Sequence, residues 1–317
     1  MPRIRIINST DVSELLTEES LREALTRALI AQSKGKANVP PRIAAHSANG
    51  LLSAMPGYLE GVGLATKLVT VFPDNVDLPS HMGVIALFDS SSGLPLSFMD
   101  GEVITRDRTA CTASIAADHL AREDAEVLTI VGAGVQGEAH LSFFENLRRW
   151  TEINVVSRTE ASSAEVAASS KTGVAKSLPY EELEAAVRAS DTVALCTHAQ
   201  SAVISADWVG DGCHVSSVGS FAELPRDLVV SDGVTLVADH IGAVSTPPPA
   251  GAEELQGLDP ARVAELGAVL AGDAPGRSST GEITVYKSTG HAVQDIATAR
   301  MVYEMALDRN LGLDVDV

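Results

Sequence analysis

Three glycines at a fixed spacing carry the most specific chemistry in the chain, in the run Gly132-Ala133-Gly134-Val135-Gln136-Gly137. Such a run holds the pyrophosphate of a dinucleotide when a strand leads into it and a helix leaves it. The first glycine makes the turn, the second lets phosphate approach the backbone, and the third lets the helix pack closely. Here the apolar run Val127–Val131 reads as the strand and 138–147 as the helix, whose N-terminal N–H groups and dipole favour an anion. All six loop residues are therefore candidate cofactor contacts. At the end of the next apolar run, 153–157, an NAD enzyme carries an acidic residue for the ribose 2′-hydroxyl. This chain has Ser157-Arg158-Thr159 there. No carboxylate repels a 2′-phosphate, and the planar fork of Arg158 can pair with one, so NADP(H) is favoured and NAD(H) possible. The alternative is a solvated arginine in a loop that tolerates both. Cys111, Cys196 and Cys213 show no C-x-x-C spacing and the histidines no H-E-x-x-H pair, so no metal is assigned.

A doubly wound scaffold must position that loop. From about Thr105 onward, Ala-rich helical stretches alternate with compact runs at 127–131, 153–157, 192–197, 214–218 and 235–239. This is the pattern of a parallel sheet covered on both faces, with about six strands. A Rossmann-type α/β domain is expected over 113–290. Thr197, Val218 and Gly219, at the ends of the third and fourth of these five runs, join the expected cofactor contacts. Residues 1–112 read differently. A helix at 18–34 places Leu21, Leu25, Ala28 and Leu29 on one face and stops at Gly35. Strands at 42–46 and 51–55 flank Asn49-Gly50, a dipeptide that tolerates the positive φ of a tight hairpin, and β-rich runs follow at 64–72, 83–89 and 94–99. The expected first domain is α+β with a mainly antiparallel sheet. A final helix at 292–307, with Ile296, Ala299, Tyr303 and Ala306 on one stripe, needs a surface to pack on.

Bulk composition narrows the partners. The 317 residues are 45% hydrophobic and 21% charged, as in a folded globular protein of two domains. With 23 Lys+Arg against 42 Asp+Glu the net charge is −19, which repels nucleic acid and anionic membrane. No run approaches the ~18 apolar residues of a membrane span, and the opening residues lack a signal-peptide core. A cytoplasmic protein with reduced thiols is expected.

Several separated motifs then point the same way: Pro41-Arg42, Met55-Pro56, Lys67, Phe72-Pro-x-Asn75, Gly93-x-Pro95, Thr105-x-x-Arg108-Thr109-Ala110, the glycine loop, Gly219-Ser220, the stretch from Glu282 through Lys287-Ser288 to Gly290, and Gln294-Asp295. In this order they resemble the ornithine cyclodeaminase/mu-crystallin family over essentially the whole chain. The resemblance implies a homodimer whose N-terminal domain makes the subunit contact and the substrate pocket, with 291–317 returning to that domain. It implies small α-amino or α-imino acid substrates, and it puts Arg42, Lys67 and Arg108 around the substrate carboxylate. Two guanidiniums and an ammonium in one cleft form an orientable carboxylate clamp even on an acidic protein. By itself Lys67, inside Leu64-Ala-Thr-Lys-Leu-Val-Thr-Val71, reads as a snorkelling strand lysine. In relatives the stretch opened by Thr109 also approaches the nucleotide phosphates.

Two departures from the cyclodeaminase pattern bear on the reaction. Where those enzymes carry an Asp that handles a proton of the side-chain amine, this chain has Phe221, and where they carry a Glu near the substrate amino group it has Ser53. A phenyl ring cannot accept a proton, although a shifted register would bring Glu223 to that role. The leading expectation is an NAD(P)H-dependent reductase of a small cyclic or open ketimino acid, or the reverse amino-acid dehydrogenation. Arg42 and Arg108 would hold the carboxylate, and Lys67 would donate toward the imine nitrogen. The alternatives are an ammonia-releasing cyclodeaminase, and a non-catalytic crystallin-like protein that binds NADP(H) or a ligand.

Overall fold

The computed structural model describes residues 3–219 and 221–316. Two compact units result, Met1–Arg108 with His291–Val317, and Thr109–Gly290. The first unit begins with β1 (Arg3–Ile7), α1 (Ser9–Leu15) and α2 (Glu18–Ser33). Side-chain caps start both helices: Asn8 accepts the Asp11 N–H and Thr17 the Ser20 N–H. Beyond α2 the chain turns through Gly35 at φ +72°. There follow β2 (Ala37–Asn38), β3 (Ile43–His46), β4 (Leu51–Leu59), β5 (Gly63–Val71), β6 (His81–Phe88), β7 (Pro95–Asp100) and α3 (Glu102–Leu120).

The turn between β3 and β4 corrects one expectation. Neither Asn49 nor Gly50 takes a positive φ. Instead the Ser47 hydroxyl accepts the N–H groups of Asn49 and Gly50, and the Ser47 N–H donates to the Gly50 carbonyl at 2.8 Å. Glycine is needed here because a Cβ would overlap the Val71 carbonyl and the Phe72 ring.

The second unit is wound from β8 (Val127–Val131), α4 (Val135–Phe144), β9 (Glu152–Val156), α5 (Glu160–Ala168), β10 (Ala175–Leu178), α6 (Leu183–Arg188), β11 (Thr192–Leu195), β12 (His214–Ser217), α7 (Arg226–Val230), β13 (Val234–Ala238), α8 (Gly242–Ser245), β14 (Val263–Glu265), α9 (Leu266–Ala271) and β15 (Ile283–Lys287). Its sheet has eight strands rather than six, in the order β10-β9-β8-β11-β12-β15-β13-β14. Every pairing is parallel. The winding reverses at β8, so the glycine loop leaves the sheet at its switch point. The strands beyond the apolar runs are the edges β10 and β14, which are short and partly exposed, and β15, which inserts between β12 and β13. Val131, Leu195, Val215, Leu236 and Val285 are among the residues of this unit's core.

The chain then completes the first unit with α10 (Ala292–Arg309), ended by Asn310 in the left-handed region, and β16 (Leu313–Asp316). The first unit's sheet runs β16-β1-β7-β6-β5-β4-β2, with β3 also on β4. It is antiparallel apart from the β1–β7 pair. Helix α10 lies against α2, β4 and β5, and its Ile296, Ala299, Val302 and Ala306 join Ile85, Leu87 and Met99 in the core. Among the described residues no helix is long and apolar enough to cross a membrane.

Candidate active site and cofactor cradle

In the first unit, strand alternation turns Ala65 and Lys67 of β5 to the buried side of the sheet. Helix α3 starts with the Asp100 carboxylate accepting the Val103 N–H at 2.8 Å. Its Thr105 and Arg108 are three residues apart and share a face. The first turn of α10 brings Gln294 and Asp295. These elements converge on Asp295. Lys67 Nζ lies 3.0 Å from Asp295 Oδ2 and donates to Oδ1 at 3.2 Å and to Thr105 Oγ1 at 3.3 Å. Arg108 donates from Nε to Asp295 Oδ1 at 3.0 Å and from Nη1 to Gln294 Oε1 at 2.8 Å. Arg42, half-buried just before β3, is near enough to act on Lys67 electrostatically.

The balance of charge sets the chemistry. Burial pushes the Lys67 ammonium down, Asp295 opposes that, and Arg108 and Arg42 add to it, which leaves a pKa of about 8 instead of 10.5. Burial pushes the Asp295 carboxyl up, but Arg108 and Lys67 outweigh it and hold the group below its usual range. The result is a buried lysine that gives up its proton around pH 8, beside two guanidiniums suited to a carboxylate.

In the second unit, Gly132 has φ +107°, and a Cβ on it would lie 2.7 Å from the Cys196 carbonyl just past the end of the neighbouring strand β11. A Cβ on Gly137 would overlap the Gly132 carbonyl. Gly134 caps α4 with no side-chain cap bond and faces open space, while Ala133, Val135 and Gln136 complete the turn. A diphosphate fits this cradle, because the backbone is bare where the phosphates must approach a helix N-terminus. At the end of β9, Ser157 donates its hydroxyl to the Thr159 carbonyl at 2.7 Å and Arg158 is exposed. Thr109 is buried in α3.

Thr197, Val218 and Gly219 are brought together by Glu223, which is fully buried. Its Oε2 accepts the Thr197 N–H at 3.1 Å and the Thr197 hydroxyl at 2.8 Å. Its Oε1 accepts Ser217 Oγ at 2.7 Å, Val218 N at 3.1 Å and Gly219 N at 2.9 Å. With both oxygens filled by donors, Glu223 is a brace across the ends of β11 and β12 and is not the proton acceptor that a shifted register would supply. Phe221 lies edge-on to His198, with centroids 6.0 Å apart. Ser220, part of the Gly219-Ser220 run, lies outside the described residues.

The sequence profile of the ornithine cyclodeaminase/mu-crystallin family matches residues 4–310. The chain belongs to that family. It is 31% identical to alanine dehydrogenase of Archaeoglobus fulgidus over 97% of this chain and 96% of that protein. Among solved structures, Delta(1)-pyrroline-2-carboxylate reductase of Thermococcus litoralis in complex with NADH and L-proline is similar at 30% identity and a TM-score of 0.87, covering 98% of this chain and 100% of the other. An archaeal alanine dehydrogenase dimer with bound NAD is similar at 28% identity and a TM-score of 0.86, covering 99% of each chain. The α/β fold of this chain is that of these family members.

The Gln294-Asp295 run places Asp295 among the family motifs without giving it a role. A usable signal was present. Asp295, Ala299, Val302 and Ala306 follow helical spacing on the buried face of α10, and a carboxylate on an apolar stripe requires a buried cation. Gln294 is marked only by its place in that run, and the role of Glu223 depends on backbone N–H groups that no spacing rule displays.

Proposed function

We propose that this protein is an NAD(P)H-dependent reductase of a small ketimino acid, working in reverse as an amino-acid dehydrogenase. The observation that carries this reading is Lys67, a buried ammonium with a pKa of about 8 held against Asp295 beside Arg108 and Arg42. Reducing a C=N bond adds one hydride to carbon and one proton to nitrogen. A reduced nicotinamide, when bound, supplies the hydride. Arg42 and Arg108 hold the carboxylate and so orient the molecule, and Lys67 delivers the proton to nitrogen. Asp295 keeps that proton on Lys67 until it is needed. The relatives support this substrate class, since those named above are a pyrroline-2-carboxylate reductase and alanine dehydrogenase.

The dinucleotide would be held by 132–137, Ser157, Arg158, Thr159, Thr109, Thr197, Val218 and Gly219. NADP(H) is favoured over NAD(H), because β9 ends without a carboxylate and with Arg158 exposed. None of the three cysteines is disulfide-bonded, in keeping with a cytoplasmic enzyme. The enzyme is a homodimer through the face of the first unit's sheet that points away from α10. There Ile6 is 40% exposed, Ile43 69%, Leu52 45%, Leu64 38%, Val84 44% and Phe98 37%. Strand register places these side chains on one face, and an exposed apolar face of this kind marks a protein–protein contact.

Oxidation of NADPH or NADH with Δ1-pyrroline-2-carboxylate, Δ1-piperideine-2-carboxylate, or pyruvate with ammonia tests the activity. Inactivity with all three removes the reductase reading. The cyclodeaminase alternative predicts stoichiometric ammonia release from ornithine without net change in added NAD(P)+. Phe221 in place of a proton acceptor argues for the reductase.

A further inference from the structure

Two lysines of this chain are buried, and they are matched differently. Lys287 pairs one to one with Glu254 at 2.7 Å and donates to Ser217 Oγ. Lys67 shares Asp295 with Arg108, and Arg42 acts on it as well. The remaining lysines, Lys34, Lys36, Lys171 and Lys176, are exposed. An amine that is desolvated and set beside other cations sheds its proton readily and becomes a nucleophile. Lys67 does so around pH 8. Across the strands it is flanked by Met55 and Ile85, which bring no charge.

A nucleophile also needs a base within reach and a group that holds the base in place. Asp295 Oδ2 lies 3.0 Å from Lys67 Nζ and accepts no hydrogen bond. Oδ1 accepts from Arg108 Nε at 3.0 Å and from Lys67 at 3.2 Å, which fixes the carboxylate. On the side of β5 that carries Lys67, Gly63 and Ala65 are buried while Val69 and Val71 are half-buried, so the amine stands where cover thins out. We propose that Lys67 condenses with the carbonyl of a 2-oxo acid whose carboxylate lies on Arg108 and Arg42, forming a protein-bound iminium that ammonia then displaces. Nζ bonds to C2 as the π pair of the carbonyl moves to oxygen. Of the three hydrogens on the ammonium, two leave with that oxygen as water, passed through Asp295 Oδ2, and one stays on nitrogen. The positive charge is thus beside Asp295 before and after the step. Ammonia adds to C2, the bond from C2 to Nζ breaks, and Lys67 departs as the amine, leaving the imine of the 2-oxo acid with nothing oxidised or reduced. The condensation needs no nicotinamide; only the later reduction of that imine rests on the reductase reading above.

The test is reductive trapping: wild type is held with pyruvate and sodium cyanoborohydride, without nicotinamide, and the reduced adducts are located by peptide mass. Lys67 is expected to carry at least ~10-fold more adduct than any exposed lysine, and Lys287 none. Methyl pyruvate keeps the carbonyl but not the anion, so Lys67 should take it at least ~10-fold less than pyruvate, while the exposed lysines should not discriminate against it. Added ammonia should lower the adduct at Lys67 more than at the exposed lysines, since in solution it competes with all of them alike. Asp295→Asn should slow trapping at Lys67 at least ~10-fold at about pH 9, where the amine is neutral with or without Asp295. An aspartate that only balanced charge would leave that rate unchanged or raise it. If Asp295→Asn does not fold, the wild-type map and the ratio of pyruvate to methyl pyruvate decide alone. No adduct at Lys67, one no greater than at the exposed lysines, equal use of methyl pyruvate, no selective effect of ammonia, or undiminished trapping in Asp295→Asn overturns the proposal, and with imines still reduced the reductase reading stands. A Lys67 adduct in an enzyme that reduces no imine keeps the proposal and sinks the reductase reading.

Discussion

In the first unit Lys67 is buried beside one carboxylate, Asp295, with the guanidiniums of Arg108 and Arg42 acting on it as well. In the second unit Glu223 is buried among three backbone N–H groups and two hydroxyls. Both arrangements take a charge out of water, and the difference lies in what balances it. Around Lys67 the cations outnumber the anion, so the cluster retains attraction for one more negative group and the lysine sits close to losing its proton. Around Glu223 the donors fill both oxygens, so nothing is left for a ligand and the binding energy goes into shape. Lys287 extends the second pattern, donating to Ser217 Oγ at 2.7 Å and pairing with Glu254 at 2.7 Å. Burial alone is therefore a poor sign of chemistry; an imbalance of charge at a buried site is a better one.

The sharpest way to break this contrast is to remove the proton donor. Lys67→Met should lower reductive kcat/KM by about 10²–10⁴ with cofactor binding retained. A variant within a few-fold of wild type would show that Lys67 is an ordinary buried lysine. Asp295→Asn should come next, with a loss of about 10² in kcat/KM, because Lys67 and Arg108 lose their anion. The pH profile separates its causes. Lys67 donates while protonated, so wild-type reduction should hold below pH 8 and decline tenfold per unit above about 8. Without Asp295 the remaining influences on Lys67 all lower its pKa, and the limb should move to lower pH. A limb fixed at 8 in Asp295→Asn would sink the electrostatic role. Stability has its own sign. Because the folded pKa lies below the usual 10.5, burying the charged lysine is a penalty fully present below pH 8, and it fades as the pH rises from 8 toward 10.5.

The same contrast explains what could be read from residues alone. The glycine loop and its strand are local: Val127–Val131, Gly132 and Gly137 act within a dozen positions, so composition and spacing display them. The cluster around Asp295 is not local. Its partners stand 228 and 187 positions away, at Lys67 and Arg108, and nothing within Leu64–Val71 distinguishes Lys67 from a strand lysine whose head reaches water. The resemblance to a family joined Arg42, Lys67 and Arg108, but it supplied no counter-ion. Strand β10 went unread for a physical reason: Ala175-Lys-Ser-Leu178 is a partly exposed edge and needs no continuous apolar run. The turn at 47–50 misled because Asn-Gly permits a positive φ without compelling it, and the Ser47 hydroxyl offers the backbone another closure.

A milder effect is expected in the second unit. Glu223→Gln keeps one acceptor oxygen but turns an amide NH₂ toward donors of either Thr197 or the Ser217–Gly219 segment, at a cost of about 1–3 kcal/mol. Thermal melting should register the loss, and the KM for the nicotinamide cofactor should rise roughly tenfold as the β11 and β12 ends relax. The limb near pH 8 should stay in place, since Glu223 is not among the groups that shift Lys67. Movement of that limb would mean that the brace also participates in proton transfer, against the division drawn here.

The smallest effect belongs to Arg158, which is exposed and gains its importance only with a 2′-phosphate present. A charge-assisted pair in partial solvent is screened, so Arg158→Ala should reduce kcat/KM with NADPH by about tenfold and leave NADH nearly unchanged. Raising the ionic strength should shrink the wild-type preference for NADPH and leave the variant insensitive. Equal losses with both cofactors would assign Arg158 to loop stability, and cofactor choice would then rest on Ser157. Its hydroxyl is committed to the Thr159 carbonyl at 2.7 Å, so it adds no charge to repel a phosphate.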